Sequence, residues 1–229
     1  MNIKHKKPTL TKKQRHRLRV QQVRRQKIFL TCLFLLIVGC ILLRFPRFSG
    51  RQEEAHQINA ACEAYRDEVS SEAAQYDMSD YVDLILAVMM QESSGQGTDP
   101  MQSSEGAYNT RYPQQPNGIT DPSYSISCGI QELKYALDKA GCTGPTDLSK
   151  IRLALQAYNF GADSYFAYLE ENGQTVWTAQ SAQAFAQMAS GNTQRDEDDP
   201  LHDPAGPWDY GDQYYPDHVL RYYHLDNNS

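Results

Sequence analysis

Glu92 closes a run, Tyr81-x3-Ile85-x2-Val88-x3-Glu92, in which apolar residues recur at i, i+4 and i+7 and a carboxyl falls on their stripe. A carboxyl pressed against apolar groups has its charged form disfavoured. Its pKa rises and it can hold a proton near neutral pH as a general acid. Cleaving a glycosidic bond needs such a proton, although a Glu at a helix end can equally be salt-bridged or reach solvent, and the pattern leaves both readings open. Seven residues on, Asp99 in Gly97-Thr98-Asp99-Pro100 offers a second carboxylate that could face Glu92 as base or electrostatic partner. Two carboxylates in different environments are what glycosidases use. An Asp before Pro is also an ordinary turn residue, and Glu105 competes for the second role.

Other chemistries lack their motifs. The chain has no HExxH, CxxC, GxSxG or phosphate-binding glycine loop, so zinc peptidase, serine hydrolase and nucleotide readings fall away, and no metal or cofactor is expected. A Cys128 nucleophile with His218 as base would make a cysteine peptidase, but a buried or paired cysteine is the commoner state. All fifteen tyrosines lie after residue 52, and their amphipathic rings suit a sugar-binding cleft as well as a core.

The elements that must position Glu92 follow from spacing and caps. Asp80 is expected to cap the helix ending at Glu92. Residues 93–128, with turn signals at Pro116-Asn117-Gly118 and Asp121-Pro122, read as a long ordered loop with room for short strands. Helical spacing returns over 127–140, 148–159 before Gly161, 163–171 before Asn172-Gly173, 179–189 before Gly191, and 216–223. Residues 192–209 form an acidic loop or lid. The fold class expected is all-α, with a mainly helical α+β arrangement still open.

Charge divides the chain. Residues 1–27 hold eleven of the 22 Lys and Arg and no acid, whereas all 28 Asp and Glu follow residue 52. Between them, residues 28–43 carry no charge, and Phe45 and Phe48 extend the apolar run to 28–48. Such a run suits a single transmembrane helix. A cleaved signal peptide is the competing reading, but Arg44-Phe-Pro-Arg-Phe-Ser-Gly offers no small-x-small cleavage site, and Ala60-Ala61-Cys62 lies too far from the apolar run for lipoprotein processing. The expected organisation is a basic cytoplasmic tail (1–27), the span (28–48), a linker or first helix (49–77) and an extracytoplasmic domain (78–226). The basic tail sets topology and touches anionic lipid, and no nucleic-acid partner is expected. Cys128 and Cys142 could pair in an oxidising compartment, or Cys62, Cys128 and Cys142 could be buried thiols.

Taken in order, Gln91-Glu92-Ser93-Ser94-Gly95, Asp99-Pro100-Met101-Gln102-Ser103-Ser104-Glu105, Ser125-Ile126-Ser127-Cys128-Gly129-Ile130-Gln131, Ala157-Tyr158-Asn159-Phe160-Gly161 and Tyr215-x3-Val219-Leu220-x-Tyr222 carry a family resemblance. Over roughly residues 55–226 the chain resembles the bacterial lysozyme-like muramidases of conjugative-element wall hydrolases and the pneumococcal vaccine antigen A group, distant relatives of goose-type lysozyme and soluble lytic transglycosylases. The resemblance implies an all-helical lysozyme-like fold acting on peptidoglycan glycan strands, with Glu92 as catalytic acid and Asp99 assisting hydrolysis. It implies that Ser127, Gln131, Tyr158 and Asn159 line the cleft, and that Tyr215 and Tyr222 lie on a terminal helix near it. The two-domain wall hydrolases carry a cysteine peptidase after the muramidase; this chain ends at Ser229, so peptide cleavage is not carried over. A lytic transglycosylase and a catalytically silent wall-binding scaffold of a remodelling or conjugation complex remain the alternatives.

Overall fold

A helix that is apolar on every side must be buried on every side. Leu84 to Met89, six consecutive residues without a charge, are fully shielded from solvent in the computed structural model. They form the middle of α3 (Val82–Glu92), the helix that carries Glu92 at its last residue. The structure describes residues 56–199 and 202–225, and the chain divides into two units at Glu54 and Ala55. The expected 28–48 span lies outside the described residues, among which no helix is long and apolar enough to cross a membrane.

Two helices precede α3: α1 (Ala60–Glu63), capped by the Asn59 side chain, and α2 (Arg66–Gln75). Asp80 does not cap α3. It lies in a 3-10 turn, Ser79–Tyr81, that leads directly into the helix, and Tyr81 stands at the cap position without a side-chain bond to the helix's first amides. After a long loop come α4 (Pro122–Ala140), α5 (Leu148–Phe160), α6 (Ala162–Glu171), α7 (Ala179–Ala189) and the short α8 (Tyr215–Leu220). No strand occurs among the described residues, only an isolated antiparallel bridge between Gln194 and Trp208 inside the 192–209 loop. Helix α4 starts five residues before the expected Ser127. Asp121-Pro122 is not a free turn: the Asp121 carboxylate accepts from the Ser123 and Tyr124 amides, and Pro122 occupies the first helical position, where a missing N–H costs nothing.

Helix α5 is the hub, packed against α4, α6 and α8, while α3 packs against α2 and α8. One end of the core is a cluster of rings, Phe160, Tyr165, Phe185 and Tyr210, gathered where α5, α6, α7 and the segment after the 192–209 loop meet, with contacting centroids 5.2–5.7 Å apart. Cys62, Cys128 and Cys142 are free thiols, the first two buried and the third half-buried: Cys128 Sγ points at the Tyr108 carbonyl and Cys142 Sγ at the Tyr81 hydroxyl and the Gly144 carbonyl.

The loop from 93 to 121 is tied inward at its first half. Both oxygens of Asp99 are taken: one accepts from the Ser103 amide and the Ser125 hydroxyl, at 3.0 and 2.6 Å, the other from the Ser104 amide at 3.1 Å and the Ser104 hydroxyl. Gly129 lets this loop lie directly on α4, since a Cβ there would stand 2.6 Å from that of Met101.

Candidate active site

Glu92 projects from the end of α3 into a groove whose opposite sides come from α4, α5 and the segment before α8. Two cavities of about 620 and 520 Å³ meet at Glu92, Gln102 and Asn159, so the acid stands midway along a continuous groove. The Tyr215 hydroxyl donates to Glu92 Oε1, and the Tyr158 ring stacks on that of Tyr215 at 6.3 Å. Tyr158 in turn donates to the Met101 carbonyl at 2.9 Å, which locks α5 to the loop beside the acid.

Burial pushes the Glu92 carboxyl up to about 7 from an ordinary 4.5; the Tyr215 hydrogen bond opposes the shift, and the charges of Asp212, Asp99 and Glu132 add to it. A proton is therefore held on Glu92 well above the usual carboxylate range, as general acid catalysis requires. Burial also drives Tyr158 and Tyr215 well above their ordinary value, so both remain neutral donors.

The residues expected at the site separate into two groups. Glu92, Tyr158, Asn159 and Tyr215 converge on the groove, and Asn159 Oδ1 also accepts from the Asp212 amide at 2.7 Å, bridging α5 to the segment that feeds α8. Asp99 lies behind its surface, 1 % exposed and saturated by the four donors already described. Its carboxylate organises the loop, and its charge still reaches Glu92, adding to the rise in that carboxyl's pKa. Glu105 is exposed at the groove's rim. Ser127 and Gln131 line a separate cavity of about 540 Å³ with Tyr76, Arg111 and Tyr124, where the Ser127 hydroxyl meets that of Tyr76 and Gln131 donates to the Ser127 carbonyl. Tyr222 lies outside both halves of the groove and packs edge-on against His56. Among the described residues Cys128 is no exposed nucleophile: it is buried, burial raises its pKa, and its thiol points at the Tyr108 carbonyl, while His218 is bonded to Asp212.

Two features of the groove were not anticipated. The first is Glu132, on the α4 side of the larger cavity, pushed up to about 7 mainly by burial. Its signal was present: Ser125, Gly129 and Glu132 fall at i, i+4 and i+7, so two small residues marked the face of α4 that the loop approaches. The second is the Asp212–His218 pair in the smaller cavity, 2.5 Å apart, in which Asp212 raises the His218 pKa. No group of three or more His, Cys, Asp or Glu among the described residues is arranged to hold a metal ion.

Known proteins share this framework. The bifunctional muramidase/DL-endopeptidase CwlT of Bacillus subtilis is 36 % identical over 173 residues, which is 76 % of this chain and 43 % of CwlT. A pneumococcal vaccine antigen A homolog of Streptococcus pyogenes is 37 % identical over 110 residues, 48 % of this chain and 50 % of that protein. The chain thus spans about half the length of these relatives or less. The crystal structure of an NLP/P60-family protein similar to lipoprotein, from Staphylococcus aureus, superposes with a TM-score of 0.63 at 26 % identity, covering 76 % of this chain and 56 % of that one. Residues 60–223, which include every helix described above, match the family model for Lysozyme-like proteins, and the chain belongs to that family.

Proposed function

We propose that this protein is a membrane-anchored peptidoglycan hydrolase that cuts the β-1,4 bond between MurNAc and GlcNAc, with Glu92 donating a proton to the leaving oxygen. The observation that carries this reading is the position of Glu92: a carboxyl raised to about 7, braced by Tyr215, midway along a groove open on both sides. A glycan strand laid along that groove would pass its scissile bond over the acid. Tyr158 and Asn159 are the side chains on which we expect the sugars to rest. The muramidase half of the name CwlT supports the same chemistry. The endopeptidase half is not assigned to these residues, because Cys128 is fully buried and its thiol is spent on the Tyr108 carbonyl. The apolar 28–48 stretch, uncharged from 28 to 43, and the basic 1–27 segment support anchoring with the domain outside the cell.

A second reading is favoured by one feature. With Asp99 enclosed, no carboxylate from the expected position orients water, and attack by the sugar's own 6-hydroxyl would make the enzyme a lytic transglycosylase. Mass spectrometry of the ends released from purified peptidoglycan separates the two. Reducing MurNAc ends made by the parent and not by Glu92→Gln establish the muramidase, and 1,6-anhydro ends establish the transglycosylase. Sacculi that are bound but never cut would make the protein a wall-binding scaffold.

A further inference from the structure

We propose that the smaller half of the groove is a carboxylate site, in which Arg221 and His218 read the acid carried on the 3-O-lactyl arm of MurNAc. The inference rests on the glycosidase reading above and names the feature of the strand that this site selects. The arm ends in its own carboxylate where the stem peptide has been removed, and in the carboxylates of that peptide where it has not.

The two halves of the groove differ in charge. The larger is lined by Glu105, Glu132 and Asp163 and, among the described residues, by no Arg, Lys or His. The smaller is lined by Arg195, His202, His218 and Arg221. Asp203 and Asp212 share that half, but both have partners of their own. Asp212 accepts from His218 Nδ1 at 2.5 Å and from the Tyr214 amide at 2.9 Å, and Asp203 accepts from the Ala205 amide at 2.8 Å. A neutral glycan would draw nothing from this asymmetry. Of the two sugars in the strand, only MurNAc carries an arm that ends in an acid.

Arg221 is held ready for it. Its guanidinium donates to Gln91 Oε1 at 2.9 Å, one residue before the acid, and lies over the Tyr222 ring at 4.8 Å. Neither contact neutralises it, and the remaining N–H groups of the fork are what a carboxylate takes in pairs. His218 stands close enough for the Arg221 charge to act against its protonation, while Asp212 works the other way and keeps the imidazolium. Two cations on one wall repel, and a bound carboxylate relieves that repulsion. The loop across the cavity adds one more sign. His202 Nδ1 is closed off from solvent and has no hydrogen-bond partner, a state in which buried polar atoms are seldom left.

The test gives the full-length chain, solubilised in mild detergent, three substrates: intact peptidoglycan, strands stripped of stem peptide, and stripped strands whose lactyl acids have been coupled to methylamine. New sugar ends, reducing or 1,6-anhydro, are counted by mass spectrometry, so the result holds for either mode of attack. Arg221→Gln is expected to raise KM on a carboxylate-bearing strand about 10-fold, with kcat and melting temperature near the parental values. On the methylamide strand it should match the parent, because the group it would bind is gone. Arg221→Lys, which keeps the charge, should retain most of the parental KM. A loss on stripped acid strands assigns the carboxylate to the lactyl group, and a loss on intact peptidoglycan alone assigns it to the stem peptide. Equal losses on all three substrates would mean that Arg221 only braces the fold, and overturn the proposal. So would an Arg221→Gln enzyme that matches the parent on every substrate. A parent that cuts none of the three overturns the glycosidase reading, and this one with it.

Discussion

Glu92 is asked to remain neutral inside a folded protein, and that demand has a cost that depends on pH. Its pKa stands near 7 in the fold against 4.5 when exposed, so between those values the folded chain holds a proton that the unfolded chain has released. Stability from this group is fully present below pH 4.5 and is lost as pH rises through 7, amounting to about 3 kcal/mol at most. Glu92→Gln, neutral at every pH, is expected to melt above the parent at pH 8 and level with it at pH 4, while abolishing cleavage at both. Equal melting shifts at the two pH values would show that burial is not what raises the pKa. The same titration sets the activity profile: cleavage should fall above about pH 7 as Glu92 gives up its proton. Asp99 answers to different physics. Its carboxylate is worth what its four donors make of it, so Asp99→Asn, which turns an amide N–H towards donors, is expected to cost about 2 to 3 kcal/mol in urea unfolding.

Helices with clear periods and glycine stops were legible in advance. The expected 148–159, 163–171 and 179–189 became α5, α6 and α7 with ends at most one residue away, because Gly161, Gly173 and Gly191 stand where those helices must stop. The start of α4 was not legible, because Asp-Pro serves equally as a turn and as a cap followed by a first helical residue, and only the amides of Ser123 and Tyr124 decide between them. The site divides the same way. Glu92 was readable from its own helix stripe, whereas the fate of Asp99 depended on Ser125, 26 residues away on another element. Glu132 was missed because its neighbour across the groove is a loop backbone, and backbone approach leaves its only trace in small residues such as Gly106 and Gly129. That interface between loop and helix can be tested directly. Gly106→Ala places a methyl where the Glu132 carboxyl now lies and should displace a side chain on the groove rather than the core. Cleavage is expected to fall at least as far as the melting temperature permits it to be measured, with the melt nearly parental. Gly129→Ala instead pushes on Met101 in the core and is expected to cost about 1 to 3 kcal/mol of stability.

At the scale of the molecule, charge and groove belong to different parts of the chain: the basic 1–27 segment on one side of an apolar run, every acid on the other. Deleting residues 1–48 is expected to move the protein from the membrane fraction to the soluble fraction without loss of cleavage on isolated wall; a truncated chain still pelleting with membranes would refute the anchor. The groove has a further consequence that concerns time rather than space. The hydroxyl bracing Glu92 comes from Tyr215, 123 residues later, and Asp212 and His218 come from the same late stretch. The acid is made first, and the partner that holds it in place is made 123 residues later. A chain still being extended carries the cutting residue without its brace, so the enzyme is not complete until α8 has emerged and docked.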